Sequence, residues 1–302
     1  MKRVYQILVI FFLFSSCSKK ESIIVDNNNA PNYNGISTIR IQNYINRLFI
    51  DLLGREPTNS EKDYFTGRLK HRKLETGIRD SIVNVLQNDT NFRIGDSSYR
   101  IAYSQRMYEL MKLQFLEGAS EPDLQLRIGN LNFAIQVARL NGDSVAVQQY
   151  LFEQNKYLNV TKSKYRFSRR IIDYPQFIAA MLNNGIYDQI NMGSFNFVNA
   201  IFEDVLGRKP MNEEFQLAYN VIEKNEPALI FNQMTSNKTE VIQALVNSSA
   251  FDEAQIRWWN FQYLRTEISS DILSKLLGAL GTGVTIEDIQ RELLITDHYA
   301  QF

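Results

Sequence analysis

Cysteine is nearly missing from this 302-residue chain: Cys17 is the only one. Residues 18–302 therefore offer no thiol nucleophile, no cysteine-ligated zinc and no C-x-x-C-H haem attachment. An exported protein can use disulfides, and this one has none to make. Histidine is nearly as scarce, with only His71 and His298, both in polar surroundings. Two separated histidines do not build a His-rich metal centre, and no Asp/Asn-rich loop of the calcium-binding kind is present. Net charge is zero, which argues against nucleic acid, whose phosphates call for a basic surface. Strand-like alternation is almost absent. The phosphate-loop, dinucleotide, nucleophile-elbow and H-E-x-x-H patterns are absent too. These absences leave no cofactor, no metal and no catalytic residue to nominate.

What is present begins at the N-terminus. Met1-Lys2-Arg3 is basic, Val4 to Phe14 is apolar apart from Tyr5 and Gln6, and Ser15-Ser16-Cys17 is a small-residue cleavage site. This is the three-part layout of an export signal, and its apolar run falls short of the ~20 residues of a spanning helix. Cleavage after residue 16 leaves 286 residues and removes two positive charges, for a net charge of −2. Residues 17–35 are polar, with Asn27-Asn28-Asn29 and Pro31, and read as a flexible tether.

A cysteine placed directly after the small residues resembles a bacterial lipoprotein signal. That resemblance implies that Cys17 becomes the first residue of the mature chain and carries lipid. The short signal, the Asn-rich tether and the Ser-Ser-Cys ending look like those of Bacteroidota lipoproteins, which implies the outer membrane. Ser18 stands after the cysteine, and no acidic run follows. The side of the membrane, periplasm-facing or surface, stays open.

From about Ile36 onward apolar residues recur at three- and four-residue steps. Ile41, Tyr44, Ile45, Leu48, Phe49, Leu52 and Leu53 form one stripe. Similar stripes follow over 78–87, 99–116, 124–140, 144–154, 166–182, 195–206, 214–223, 238–246, 251–268 and 285–295. The expected fold is all-α.

The chain repeats itself. Residues 44–61 align without gaps on 197–214, with nine of eighteen positions identical. Residues 82–92 align on 241–251, and beyond them Tyr99, Tyr103 and Arg106 are set against Trp258, Gln262 and Arg265. Two related units, near 37–117 and 192–277, follow. The domain reading is a signal (1–16), a lipidated tether (17–35), helical unit 1 (36–117), a helical middle segment (118–191), and unit 2 with C-terminal helices (192–302).

The shared block predicts a helix–turn–helix corner. Gly54 and Gly207 suit the left-handed position after a helix. Pro57 and Pro210 prevent continuation. Thr58 and Glu61 form a capping box; with Met211 in place of Thr58, Asn212 is the expected cap in unit 2. Arg55 and Arg208 have two readings. Either they hold an anionic ligand, or they bond the last carbonyls of the first helix, Asp51/Asp204 or Glu61/Glu214, all of which recur with them.

The corner Phe-x-Asp-x-Leu-Gly-Arg-x-Pro-x-x-x-Glu, followed by Leu-x-Asn-Ser-x-x-Phe, resembles a small helical module of bacterial proteins. One such family is a domain of unknown function on surface and secreted proteins, and another occurs in planctomycete proteins associated with cytochromes. The phycobilisome linker domain has a similar Leu-Gly-Arg-x-Pro corner. None of these resemblances implies catalytic residues at the matching positions.

Two further features are candidates for ligand or partner contact. Lys162 to Arg170 is a basic run with interleaved aromatics, including Arg166, Arg169 and Arg170. Trp258 and Trp259 stand in an aromatic cluster whose flat faces suit sugar rings; packing in the core is the competing reading. Three functions follow as expectations. The first is a non-catalytic scaffold or protein-binding lipoprotein with an envelope protein partner. The second is a glycan-binding protein using Trp258/Trp259 and the basic run. The third is a hydrolase with two inward-facing carboxylates free of Arg or Lys partners.

Overall fold

The computed structural model describes Tyr33, residues 35–92 and residues 98–302. The residues of the expected export signal, Cys17 and nearly all of the expected tether lie outside the described residues. The expected all-α fold is observed. Helices α1 (Thr38–Leu53), α2 (Asn59–His71), α3 (Thr76–Asn88) and α4 (Tyr99–Phe115) form the first unit. A long hairpin follows, α5 (Glu121–Leu140) and α6 (Ser144–Ser168), then α7 (Tyr174–Leu182) and α8 (Gly185–Ile190). The second unit holds α9 (Ser194–Leu206), α10 (Asn212–Lys224), α11 (Lys238–Val246) and α12 (Ser249–Leu264). The chain closes with α13 (Ser270–Leu280), α14 (Ile286–Leu294) and α15 (Asp297–Ala300).

A small antiparallel hairpin, β1 (Ala228–Ile230) and β2 (Gln233–Thr235), joins α10 to α11. Its two loop residues, Phe231 and Asn232, both have positive φ, as a tight I′-type turn demands. The helical stripes hid this turn, because three-residue strands are too short to show alternation.

The two aligned blocks share helix contacts and corner geometry. α1 packs on α2 and α4, and α9 packs on α10 and α12 in the same way. Gly54 (φ 72°) and Gly207 (φ 66°) both take the left-handed conformation, donating their N–H to Ile50 O and Glu203 O. The register of the last helix differs from the sequence alignment. The buried residues Tyr99, Tyr103, Ser104, Met107, Tyr108 and Met111 fall on Phe251, Gln255, Ile256, Trp259, Asn260 and Tyr263. Trp259 thus matches Met107, and Phe251 matches Tyr99 rather than the exposed Phe92. The shift arises because ten residues separate α3 from α4, while two separate α11 from α12.

Three further expectations are corrected. The stripe over 166–182 is two helices: α6 runs on to Ser168, and α7 starts afresh because Asp173 caps Gln176 N and Pro175 follows. Asn212 does not cap α10. It is the first helical residue, Met211 holds the cap position without a side-chain bond, and Glu214 accepts from Met211 N at 2.8 Å. The Asp51 and Asp204 carboxylates do not take the corner arginines; each accepts a tyrosine hydroxyl, from Tyr299 (2.7 Å) and Tyr187 (2.8 Å) respectively.

Those tyrosines expose a second, concealed repeat. α7–α8 and α14–α15 start at the same spacing, with caps at Asp173 and Asn184 and at Thr285 and Thr296. α7 packs on α4 and α11, and α14 packs on α12 and α3. Tyr187 meets Phe197 edge-on at 5.7 Å, and Tyr299 meets Tyr44 edge-on at 6.0 Å. Phe197 and Tyr44 are themselves equivalent. Each half of the sequence therefore ends in a helix pair that packs on its own half and also reaches the other. The last two helices of the segment 118–191 touch both units: α7 packs on α6 and α4 as well as on α11, and Tyr187 of α8 reaches Phe197 and Asp204.

Candidate functional site

The crossing of the two halves creates a cleft of about 430 Å³. It is bordered by the first turns of four helices in equivalent pairs, α4 with α12 and α7 with α14. Phe167, Tyr174, Phe251 and Ile286 give it apolar walls, and Arg100, Arg170, Asp173, Asp252, Glu287 and Asp288 give it charge.

Most of that charge is already committed. Arg100 is buried and donates to Gln87 O (3.3 Å), Phe167 O (2.8 Å) and Ser168 O (3.2 Å), and it pairs with Glu287 at 3.2 Å. Arg170, in the left-handed conformation, donates to Asn88 Oδ1 at 2.7 Å. Asp173 caps Gln176 N at 2.9 Å. Asp288 caps α14 and pairs with Arg291 at 2.6 Å. Among these charged groups the Asp252 carboxylate alone has no hydrogen-bond or ionic partner within the described residues, and burial pushes it up. The repeat explains why. Asp252 stands where α4 has Arg100, and the position that supplies Glu287 in one half is Pro175 in the other. The carboxylates at these helix starts also offset the positive ends of the helix dipoles. A carboxylate-pair hydrolase needs two free inward-facing acids, and among the described residues of this cleft only Asp252 qualifies.

The other candidates are dispersed. Trp259 is buried against Tyr263, whose ring lies 5.3 Å away. Its candidacy as a contact residue is corrected: it is a core residue. Trp258 is half-buried and sits edge-on to Trp259 at 4.4 Å. Neither indole lines the cleft, so the stacking surface expected of a glycan site is not assembled there. The basic run is the last part of α6 and the turn after it. Lys164 pairs with Glu121 at 3.5 Å, Arg166 donates to Asn159 Oδ1 at 3.3 Å, and Arg169 is exposed. Of the three candidate arginines only Arg170 reaches the cleft. Arg100 gave no sequence signal, because a single arginine in an amphipathic stripe reads as a solvated residue.

At the two corners the geometry is duplicated. Arg55 forms a two-pronged pair with Glu61, both bonds 2.9 Å, and Arg208 does so with Glu214, both 2.7 Å. Each guanidinium also bonds the next residue's carbonyl and lies over a phenylalanine, Phe49 or Phe202. Paired this way, the arginines have local partners that recur with them.

Burial alone would raise the Glu61 carboxyl. Hydrogen bonds from Arg55, Thr58 and Tyr99 outweigh it and hold the group at about 2, against an ordinary value of 4.5. Its stabilising contribution is therefore complete above the ordinary carboxyl range and is lost as pH falls toward about 2. Unfolding free energies measured across that interval should fall for the native chain. Glu61→Gln should fall less over the same interval, and an identical slope would refute the assignment.

Among the described residues no helix is long and apolar enough to cross a membrane, and no group of three or more His, Cys, Asp or Glu is placed to hold a metal. Comparison with protein family models, with curated proteins and with solved structures finds no match to this chain.

Proposed function

We propose that this protein is a lipid-anchored envelope component that acts without catalysis, as a scaffold or protein-binding subunit. The anchor in this reading is lipid on Cys17, and the membrane is the outer membrane. The observation that supports protein binding is the α5–α6 hairpin. Among the described residues α5 packs chiefly on α6, and the pair carries exposed Leu126, Phe133, Leu140, Val145 and Phe152. Apolar surface grouped in this way marks interaction sites.

Two measurements test the proposal. The native chain should incorporate labelled fatty acid and sediment with membranes, whereas Cys17→Ser should lose the label and appear in the soluble fraction. Sedimentation unchanged by Cys17→Ser would remove the anchor. Purification of the lipidated chain from its native membrane should bring a protein partner with it, and none would overturn the scaffold reading.

A further inference from the structure

We infer that the cleft bordered by α4, α7, α12 and α14 binds a small organic cation: a protonated amine that carries a carbonyl or hydroxyl oxygen and an apolar body. The site is separate from the α5–α6 hairpin and from Cys17, so this inference and the protein-binding reading above stand or fall independently.

Volume and lining set the class of ligand. About 430 Å³ lies within the range of small-molecule sites, roughly 300–1,000 Å³. Phe167, Tyr174, Phe251 and Ile286 offer apolar surface to a hydrocarbon body. Charge decides which end-group enters. Asp173, Asp252, Glu287 and Asp288 stand against two arginines, Arg100 and Arg170, so the acids outnumber the bases. A carboxylate or phosphate meets repulsion there, and both arginines are already bonded within the protein.

Two groups on one face of α12 remain open. Asp252 and Gln255 are three residues apart, hence neighbours on the helix surface, and both line the cleft. The Asp252 carboxylate has no partner among the described residues. Gln255 is only 5% exposed. Its Oε1 accepts the Tyr174 hydroxyl at 2.7 Å, while its Nε2 donates to no group among the described residues. A side-chain amide this deeply buried normally has its donors satisfied. Nε2 is not sealed off from solvent, and the cleft is what Gln255 opens onto. The pair therefore presents a negative acceptor beside a neutral donor. A protonated amine matches the first through a charge-assisted hydrogen bond, and an adjacent oxygen matches the second. A hard metal ion does not suit the pair, because it takes about six or more oxygen ligands and the apolar walls supply none. The other half of the molecule shows the contact completed from within: Arg100, at the position equivalent to Asp252, pairs with Glu287 at 3.2 Å. Asp252 lacks such a partner, and the amine provides it.

The test is calorimetric titration of the lipid-free Cys17→Ser chain. Phenylalaninamide carries all three parts and should bind at one site. 3-Phenylpropanamide lacks the amine, and 3-phenylpropanoate carries a negative charge instead. Both should bind at least about tenfold more weakly, the lower end of what a hydrogen bond to a charged group contributes. Asp252→Asn keeps the size of the side chain and removes no bond within the protein. It should retain the native circular dichroism and lose at least about tenfold in affinity for phenylalaninamide. Glu253→Gln removes the neighbouring acid, which pairs with Arg257 outside the cleft, and should bind as the native chain does. A short peptide amide beginning with phenylalanine presents the same groups. Equal affinity assigns the cleft to peptide N-termini and weaker affinity to a free small amine, and either supports the amine on Asp252. No binding of phenylalaninamide at millimolar concentration, equal binding of 3-phenylpropanoate, or equal losses in Asp252→Asn and Glu253→Gln overturns the inference. The comparison of ligands needs no variant, so it decides even where Asp252→Asn fails to fold.

Discussion

Tyr299→Ala should lower the unfolding free energy by about 3–5 kcal/mol, the cost of deleting a large buried side chain. The side chain is held on several sides. The ring packs edge-on to Tyr44 and Tyr263, both 6.0 Å away, and carries the Arg47 guanidinium at 4.2 Å from its centre. Its hydroxyl donates to Asp51 at 2.7 Å, and burial holds the phenol well above its ordinary value, so it remains a donor. Tyr187 does the same for the other half, against Phe197 and Asp204. Tyr187→Ala should therefore cost a similar amount, and the two phenylalanine variants, which lose only a hydrogen bond to a charged group, about 1.5–3 kcal/mol each. Guanidinium titrations of the Cys17→Ser chain, followed by circular dichroism, would measure all four. A large effect at one tyrosine and none at the other would refute the equivalence of α7–α8 and α14–α15.

The contrast between the two repeats shows what a sequence reveals. The corner was legible because its geometry restricts chemistry. A left-handed turn demands Gly54 and Gly207, a helix stop favours Pro57 and Pro210, and a two-pronged ion pair needs both its arginine and its glutamate. The concealed repeat asks only for an apolar face and a capping residue. Residues 173–190 and 285–302 share Leu182 with Leu294, Tyr187 with Tyr299, and Gln189 with Gln301. Ile178 stands opposite Gln290, and Pro175 opposite Glu287, without disturbing the helices. The packing of each helix pair against both halves is a long-range arrangement, and local periodicity carries no record of it. The cleft was invisible for the same reason: its walls come from α4, α6, α7, α12 and α14, and it exists only once the halves have crossed. The expected anchor is the reverse case, a purely local sequence pattern whose recognition needs no fold.

Arg100→Ala should destabilise the protein by about 3–5 kcal/mol, the range for removing one member of a buried ion pair. The loss has two parts. Glu287 is left with a desolvated charge, and the carbonyls of Gln87, Phe167 and Ser168, at the ends of α3 and α6, lose their donor. Arg100→Lys should recover only part of it, because an ammonium does not span the same set of acceptors as a planar guanidinium. The molecule contains its own control. In the other half the equivalent positions are Asp252 and Pro175, which form no ion pair, while the same helices pack in the same order. The pair is therefore not a requirement of the topology. The double variant Arg100→Leu/Glu287→Leu should accordingly recover part of the loss, since replacing both charges removes the unpaired acid. It should not recover all of it, because the α6 carbonyls stay without their donor. Denaturant titrations of the two single variants and the double close the cycle. A double variant as unstable as the sum of the singles would show that Arg100 and Glu287 act independently, and that the carbonyl bonds alone account for the arginine.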